Sequence, residues 1–254
     1  RVRLMQAAKI EDSRERSLAA RFALSSESRS RLTNALEIAK DLDPIADVEP
    51  WDSDLFLLSC TNGVIDLKTG FLRDGVPDDR VTLTTGIDYD PEAGCPRWEQ
   101  FLLEIFDNEP DMAAFMRRAI GYSLTGDTRE QCLFLCWGSG ANGKSTLLNV
   151  VRSMLGEYAA NTPFSTFELQ HRNTNTNDLA ALADRRLVTA AETNDARRLN
   201  ESRVKVATGS DPITARFLFN ENFTYQPKFK IWLAMNHKPT IRGTDDGIWR
   251  RIRL

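Results

Sequence analysis

The stretch 138–146 reads Gly-Ser-Gly-Ala-Asn-Gly-Lys-Ser-Thr and matches the phosphate-binding loop pattern G-x-x-x-x-G-K-[ST] at every fixed position. An apolar run of strand length, 132–137, precedes it, and apolar residues at helical spacing follow it. This order predicts a strand, a glycine-rich loop and a helix start whose backbone N–H groups surround a polyphosphate. A glycine-rich turn with a chance Lys-Ser is the alternative. The pattern favours a nucleoside triphosphate site.

Every residue of this loop is a candidate nucleotide ligand. The candidates are Gly138, Ser139, Gly140, Ala141, Asn142, Gly143, Lys144, Ser145 and Thr146. Lys144 can reach the β and γ phosphates as a point charge, and the Ser145 hydroxyl can ligate Mg²⁺. The predicted cofactors are therefore ATP and Mg²⁺.

Composition restricts the classes of protein that this sequence can form. Among its 254 residues 41% are hydrophobic and 27% are charged, which is typical of a globular chain with a sizeable core. No run approaches 18 uncharged apolar residues, so no membrane span is predicted. Four cysteines are too few and too scattered for a disulfide scaffold, and two histidines suit a His/Cys metal site poorly. Cys132 and Cys136 are interpreted as small buried thiols.

Charge is divided unevenly along the chain. Residues 1–126 hold 15 Lys and Arg against 23 Asp and Glu, whereas residues 127–254 hold 18 against 13. The half that contains the phosphate loop is therefore the basic half. A basic surface suits a polyanionic partner as well as a nucleotide.

The acidic half predicts helices, then short strands, then helices again. The predicted elements are a helical region at 1–48, a β-hairpin at 63–72, a strand at 81–84, and helices at 98–106 and after Pro110. This order indicates three segments. They are an α+β domain at 1–96, a helical connector at 97–126 and a phosphate-loop domain at 127–254.

Three apolar runs in the basic half are each followed directly by a polar residue or a polar loop. The first leads into the phosphate loop, the second (186–191) ends at Glu192, and the third (229–235) ends at Asn236. Ligands of open α/β sheets bind beyond the carboxyl ends of strands, so we expect these groups to converge. Glu192 can polarise an attacking water or join the Mg²⁺ shell, and Asn236 can orient that water or contact the γ-phosphate. A solvated acid and a turn-forming Asn are the alternatives.

A predicted helix at 199–208 and a predicted hairpin at 213–225 lie between the second and third runs. Arg216 falls on the hairpin face opposite Phe217, where its guanidinium could reach a phosphate. A merely solvated arginine is the alternative, because most charged side chains are solvated. Phe217 and Phe219 are interpreted as core residues.

Five ordered motifs are similar to those of one family. They are G-x-G-x-N-G-K-S-T at 138–146, Glu192 after a strand, the run from Lys205 through Thr208 to Arg216, Pro227-x-Phe229-Lys230 leading to Asn236-x-x-Pro239, and Gly-Thr-Asp-Asp-Gly-Ile-Trp-Arg-Arg at 243–251. Through these motifs the chain resembles superfamily 3 helicases, above all the phage and plasmid primase-helicase type that includes the poxvirus primase-helicase. Segments 61–70 and 121–127 resemble the domain that precedes the motor in that group.

The resemblance implies an α/β fold of the AAA+ type. This is a P-loop NTPase with a central parallel sheet, in which the third apolar run lies between the other two, preceded by a smaller α+β domain. It implies an ATP-dependent replicative DNA helicase, a hexameric homo-oligomer that hydrolyses ATP between subunits and moves along single-stranded DNA in its pore. A primase module on the same or an associated chain, further C-terminal residues and a cytoplasmic location are expected on the same ground.

The resemblance also assigns roles to individual residues. It maps the pore hairpin onto Arg216, with Lys205 on the preceding helix, and these two are the predicted DNA contacts. It places the arginine finger at Arg251, with Arg250 as the second candidate. In strand geometry only one of two adjacent arginines can face a subunit interface.

One departure from the wider superfamily concerns the acid at the end of the second run. Many members carry two acids there, whereas here Ala191 precedes Glu192 and Asp195 follows three residues later. Glu192 is the acid that directly follows the run, and it is a predicted catalytic residue together with Lys144 and Asn236. Whether it acts as a base, a metal ligand or both is left open.

Two other functions are compatible with a phosphate loop. A kinase of a small metabolite would need a substrate lid with clustered arginines. An ATP-gated assembly or origin-binding module would use hydrolysis only to reset a switch. DNA-stimulated ATP turnover coupled to strand separation distinguishes a helicase from both.

Overall fold

A computed structural model of the chain describes residues 2–42, 50–169, 176–192, 198–241 and 246–254. The chain divides into two compact units, Arg1–Pro50 and Trp51–Leu254. Asp195 and the first part of the 243–251 motif lie outside the described residues. Among the described residues, no helix is both long enough and apolar enough to cross a membrane.

The first unit is helical, as predicted. Its helices are α1 (Val2–Ala7), α2 (Ser13–Ser26) and α3 (Arg29–Ala39). Helix α2 begins after Asp12, whose side chain accepts a hydrogen bond from the Glu15 N–H at 2.8 Å and so satisfies a free donor of the first turn.

The second unit begins with a small antiparallel sheet. Its strands are β1 (Leu57–Cys60), β2 (Gly63–Asp66) and β3 (Phe71–Arg73), paired in that order. Gly63 has φ +148°, and a Cβ there would lie 2.5 Å from the Arg73 carbonyl oxygen, so only glycine fits. The predicted hairpin is confirmed, and β1 adds a strand that the sequence did not indicate.

The predicted strand at 81–84 is wrong. This segment is irregular, and individual hydrogen bonds hold it in place of a strand ladder. The Asp52 carboxylate accepts from the Thr82 N–H at 2.8 Å, and the Thr85 N–H donates to the Ser59 carbonyl at 2.9 Å. The Val-Thr-Leu-Thr composition suits a strand, but a side-chain acceptor replaces the neighbouring strand.

Two helices and a parallel α/β layer complete the unit. The helices before the layer are α4 (Pro96–Ile105) and α5 (Pro110–Leu124), each with proline in its first turn. The elements that follow are β4 (Leu133–Trp137), α6 (Lys144–Leu155), β5 (Ala159–Asn161), α7 (Asn177–Ala180), β6 (Leu187–Ala191), α8 (Glu201–Thr208), β7 (Ile213–Ala215), β8 (Phe223–Tyr225), β9 (Lys230–Met235), α9 (Asp246–Trp249) and β10 (Ile252–Arg253). Strands β7 and β8 pair with each other as an antiparallel hairpin, separate from the parallel sheet.

The central sheet has five strands in the order β10-β4-β9-β6-β5, and every pairing is parallel. This order confirms that the third apolar run lies between the other two. All six residues of β9 are buried, which explains its nearly continuous apolar sequence. Ile231 and Leu233 pack into one core cluster, whereas Trp232 and Ala234 pack into a second on the other face.

Two buried basic side chains hold the early part of this unit against the sheet. The Arg186 guanidinium donates to the carbonyls of Leu124 at 2.8 Å and Leu57 at 2.6 Å. The Lys230 ammonium donates to the Thr125 carbonyl and, at 3.2 Å, to the Asp127 carbonyl. Burial lowers the pKa of Lys230 to about 7, because an ammonium loses its hydration inside the core.

This shifted pKa makes the stability of the second unit depend on pH. Between pH 7 and about 10.5 the unfolded chain holds a proton on Lys230 that the folded chain has released, so stability should rise with pH across this window. The contribution to the slope is at most about 1.4 kcal/mol per pH unit. Denaturant unfolding from pH 7 to 9 should show a steeper rise for the wild type than for Lys230→Met. Equal slopes would contradict the shifted pKa.

Candidate nucleotide and nucleic-acid sites

The phosphate loop closes around the ammonium of Lys144. Its Nζ donates to the Gly138 carbonyl at 2.6 Å, the Ser139 carbonyl at 3.0 Å and the Asn142 Oδ1 at 2.8 Å. The charge therefore lies inside the curve of the loop, at the first residue of α6. Phosphate oxygens entering the loop would replace these neutral acceptors with charged ones, which form stronger hydrogen bonds.

Two glycines of the loop have no substitute. Gly138 has φ +153°, and a Cβ there would lie 2.2 Å from the Asn142 Nδ2. Gly143 has φ +84°, and a Cβ there would lie 2.5 Å from Ile105 Cγ2 on α4. The conformation of the loop thus depends on close packing with α4 as well as on the loop's own sequence.

The parallel register brings the predicted site residues to one edge of the sheet. Trp137 pairs with Met235, so Gly138 and Asn236 follow adjacent strand ends. The Glu192 N–H donates to the Ala234 carbonyl at 2.8 Å, which sets Glu192 on the other side of β9. Neighbouring strands lie about 4.8 Å apart, so the three strand ends occupy adjacent positions.

The carboxylate of Glu192 is suited to a cation or a water. Its Oε2 is buried, and among the described residues it has no hydrogen-bond partner. Ser145 is exposed in the first turn of α6. A hydroxyl and a carboxylate are oxygen ligands of the kind that Mg²⁺ prefers, so these residues fit the ion.

A cavity of about 320 Å³ adjoins the loop. Its wall includes Lys144 and Asn142 of the loop together with Phe106, Met112 and Phe115 of the α4–α5 region. No motif in the sequence assigns these residues to the site. The only available signal was that two apolar helices immediately precede the strand that carries the loop.

The strand end next to the loop carries two further features of the site. Trp137 is half exposed and lines the cavity, and the Lys238 ammonium lies 4.2 Å from the centre of its ring. This cation–π contact joins the residue before the loop to the turn that contains Asn236. Burial raises the pKa of Cys136, which also lines the cavity, to about 11, so its thiol is neutral at physiological pH.

The connection between β7 and β8 carries an exposed apolar tip, which corrects the core interpretation of Phe217 and Phe219. Phe217 is 41% exposed, and Phe219 is fully exposed with φ +66°. Strand β7 ends at Ala215, so strand alternation no longer directs the following side chains inward. Arg216 is exposed beside this tip, and its N–H donates to the Thr176 hydroxyl at 3.1 Å. Lys205 is partly buried on α8.

The arginine pair after α9 has one outward and one inward member. Arg250 is exposed, and its Nη2 donates to the Gln131 Oε1 at 2.9 Å. Arg251 is 9% exposed, and its Nε donates to the Thr208 hydroxyl at 3.1 Å. A side chain that is buried among residues of its own chain is unsuited to contact a second copy. The geometry therefore disfavours Arg251 as a finger and leaves Arg250 as the candidate.

The chain is similar to two protein families. Residues 3–107 match the family described as D5 N terminal like, and residues 136–251 match a family of unknown function, DUF5906. A solved structure titled "The apo structure of NrS-1 C terminal region (305-718)" is similar in fold, with a TM-score of 0.50 and 15% identity. The match covers 64% of this chain and 38% of the chain in the solved structure.

Several viral proteins are similar in sequence. A protein of Acanthamoeba polyphaga mimivirus named as a candidate helicase, L207/L206, is 33% identical over 80% of this chain and 22% of its own length. A candidate primase of African swine fever virus, C962R, is 27% identical over 81% of this chain and 22% of its own length. The chain thus spans about a fifth of the relatives it matches. These matches make the chain similar to proteins of the phage and viral primase-helicase type.

The position of Glu192 generates a specific expectation. Glu192→Gln keeps the shape of the side chain but cannot accept a proton, so the variant should bind ATP and hydrolyse it about 10²–10⁴ times more slowly. Nucleotide binding and steady-state phosphate release would measure the two effects separately. Glu92→Gln, which changes an exposed acid in the irregular segment before α4, is the control. Wild-type turnover in Glu192→Gln would show that another acid is the base.

Proposed function

We propose that this chain is the ATP-hydrolysing motor of a replicative DNA helicase of the primase-helicase type. The observation that carries the proposal is the alignment of three strand ends. The loop with Lys144, Glu192 and Asn236 follow adjacent strand ends at one edge of the sheet, and among the described residues the Glu192 Oε2 has no hydrogen-bond partner. The names of the viral relatives, candidate helicases and a candidate primase, support the same function.

The residues of this edge divide the work of phosphoryl transfer. Lys144 and the loop N–H groups hold the phosphates, while Ser145 and Glu192 would hold Mg²⁺. The ion, when bound, neutralises charge on the β and γ phosphates. In this proposal Glu192 accepts a proton from the attacking water, and Asn236 orients that water.

The cavity beside the loop is proposed to receive the base of the nucleotide. It adjoins Lys144, so a nucleotide whose phosphates fill the loop can extend into it. Its wall is largely aromatic and aliphatic, and aromatic side chains stack on the flat face of a base. The half-exposed ring of Trp137 is one such surface.

The hairpin tip is proposed to contact single-stranded DNA. Arg216 supplies a charge for a phosphate, and the exposed ring of Phe219 offers a stacking surface that accepts any base. Lys205 on α8 precedes this hairpin and can add a second charge. A motor needs contacts of this kind, because it must hold DNA without reading its sequence.

The decisive experiment measures ATP turnover with and without single-stranded DNA, together with strand separation. The wild type should show turnover that DNA stimulates, and unwinding that requires ATP. Lys144→Ala should lose nucleotide binding, because no other side chain of the loop carries a positive charge. Turnover without any response to DNA would instead favour a kinase or an assembly switch.

We propose further that ATP lies between subunits of a ring and that Arg250 is the finger. Arg250 contacts Gln131 at the amino end of β4, whereas the loop follows its carboxyl end. Five strand residues span roughly 16 Å, farther than an arginine side chain reaches, so Arg250 can act only on a neighbour's nucleotide. Its planar guanidinium can bond two γ-phosphate oxygens.

Mixing two inactive variants tests this arrangement. Arg250→Ala and Lys144→Ala should each lack turnover alone, yet regain part of it when assembled together, because some interfaces then pair an intact loop with an intact finger. Labelled subunits would verify that mixed rings form. Full activity of Arg250→Ala alone, or no recovery in verified mixed rings, would exclude Arg250.

A further inference from the structure

The buried guanidinium of Arg251 joins three segments that are distant in sequence. Its Nε donates to the Thr208 Oγ1 at 3.1 Å, its Nη1 donates to the Gly247 carbonyl, and its Nη2 donates to the Gln131 Oε1 at 3.2 Å. A buried charge is tolerated only where its donors are satisfied. Moving any of these three acceptors away would leave a buried donor of Arg251 without its partner, which is unfavourable.

The first acceptor belongs to the helix that leads to the proposed DNA contact. Thr208 is the last residue of α8 and is 2% exposed. Its hydroxyl donates to the Val204 carbonyl at 2.7 Å, which leaves its oxygen to accept from Arg251. The chain then continues through a short turn into β7 and Arg216. A shift of the hairpin or of α8 would therefore change the hydrogen bond between Thr208 and Arg251.

The third acceptor is shared with the candidate finger. The Gln131 Oε1 accepts both from Arg251 and, at 2.9 Å, from Arg250. Gln131 has φ +46°, a backbone conformation that a non-glycine residue adopts only where its surroundings enforce it. The backbone of Arg251 is anchored as well, because its carbonyl accepts from the Leu133 N–H of β4 at 2.8 Å. Any change at Arg251 therefore reaches Arg250 through one shared oxygen.

We infer that Arg251 is a positioning residue that couples DNA contact at the hairpin to the placement of Arg250. This inference rests on the proposed function. DNA held by the hairpin shifts α8, and Thr208 passes that shift to Arg251. Arg251 in turn changes the hold of Gln131 on Arg250. The finger then swings toward the neighbouring subunit's ATP when DNA is bound.

The variant that tests this coupling is Thr208→Val, because Thr208 touches neither nucleotide nor DNA. Valine keeps the size of the side chain but cannot accept from Arg251. Basal ATP turnover, the KM for ATP and the affinity for single-stranded DNA should match the wild type. The stimulation of kcat by DNA should fall by at least about fivefold, the lower end of typical coupling between sites.

Two matched variants separate coupling from a structural effect. Thr208→Ser keeps the accepting hydroxyl and should restore most of the stimulation. Thr162→Val removes a hydroxyl that is equally buried but bonds to Thr166, so it should leave the stimulation unchanged. Normal stimulation in Thr208→Val, or no rescue by Thr208→Ser, would overturn the inference. A parallel fall of basal and stimulated turnover would also overturn it.

Failure of the proposed function would give a different result. If the wild type itself showed no ATP turnover, or turnover with no response to DNA, the helicase proposal would fall before any variant was compared. A wild type with normal stimulation and an unaffected Thr208→Val would remove only the coupling.

Discussion

The pairing of β9 between β4 and β6 is the constraint on which the candidate site depends. Its register sets Asn236 beside Gly138 on one side and, through the Ala234 carbonyl, beside Glu192 on the other. Both faces of β9 are buried, so a slip by one residue would exchange the faces of Trp232 and its neighbours. Exposing the buried side chains of β9 would cost free energy, and this cost fixes the register. The fixed register in turn keeps Gly138, Glu192 and Asn236 at neighbouring strand ends.

Two buried basic side chains help to join the sheet to the segment before it in one compact unit from Trp51 onward. Arg186 immediately precedes β6 and Lys230 begins β9, and together they donate to carbonyls of segments 54–57 and 124–127. The sequence suggested boundaries at 96 and 126 from the order of its predicted helices and strands. Contacts between a side chain and a distant carbonyl leave no pattern in composition, so this connection could not be predicted.

The sequence was most informative where a function requires a fixed local spacing. The phosphate loop, the acid after β6 and the polar end of β9 follow from spacing and periodicity alone, and their strands are confirmed. It was least informative where burial depends on distant partners. Phe219 is exposed because β7 stops after three residues, and Arg251 is buried because Thr208 and Gln131 reach it from far along the chain. The alternation of side chains along a strand predicted only that Arg250 and Arg251 face opposite sides, and it did not predict which of them is buried.

The two ends of β4 carry the two halves of the proposed ATP site. The phosphate loop follows its carboxyl end, and β10, which begins two residues after Arg250, pairs with its amino end. A strand in a packed sheet moves as a rigid element, so the proposed nucleotide loop and the proposed finger at its two ends would move together. In a ring, closing one interface would therefore bias the adjacent interface through this strand. Such a connection offers a physical route to sequential ATP turnover that needs no flexible linker.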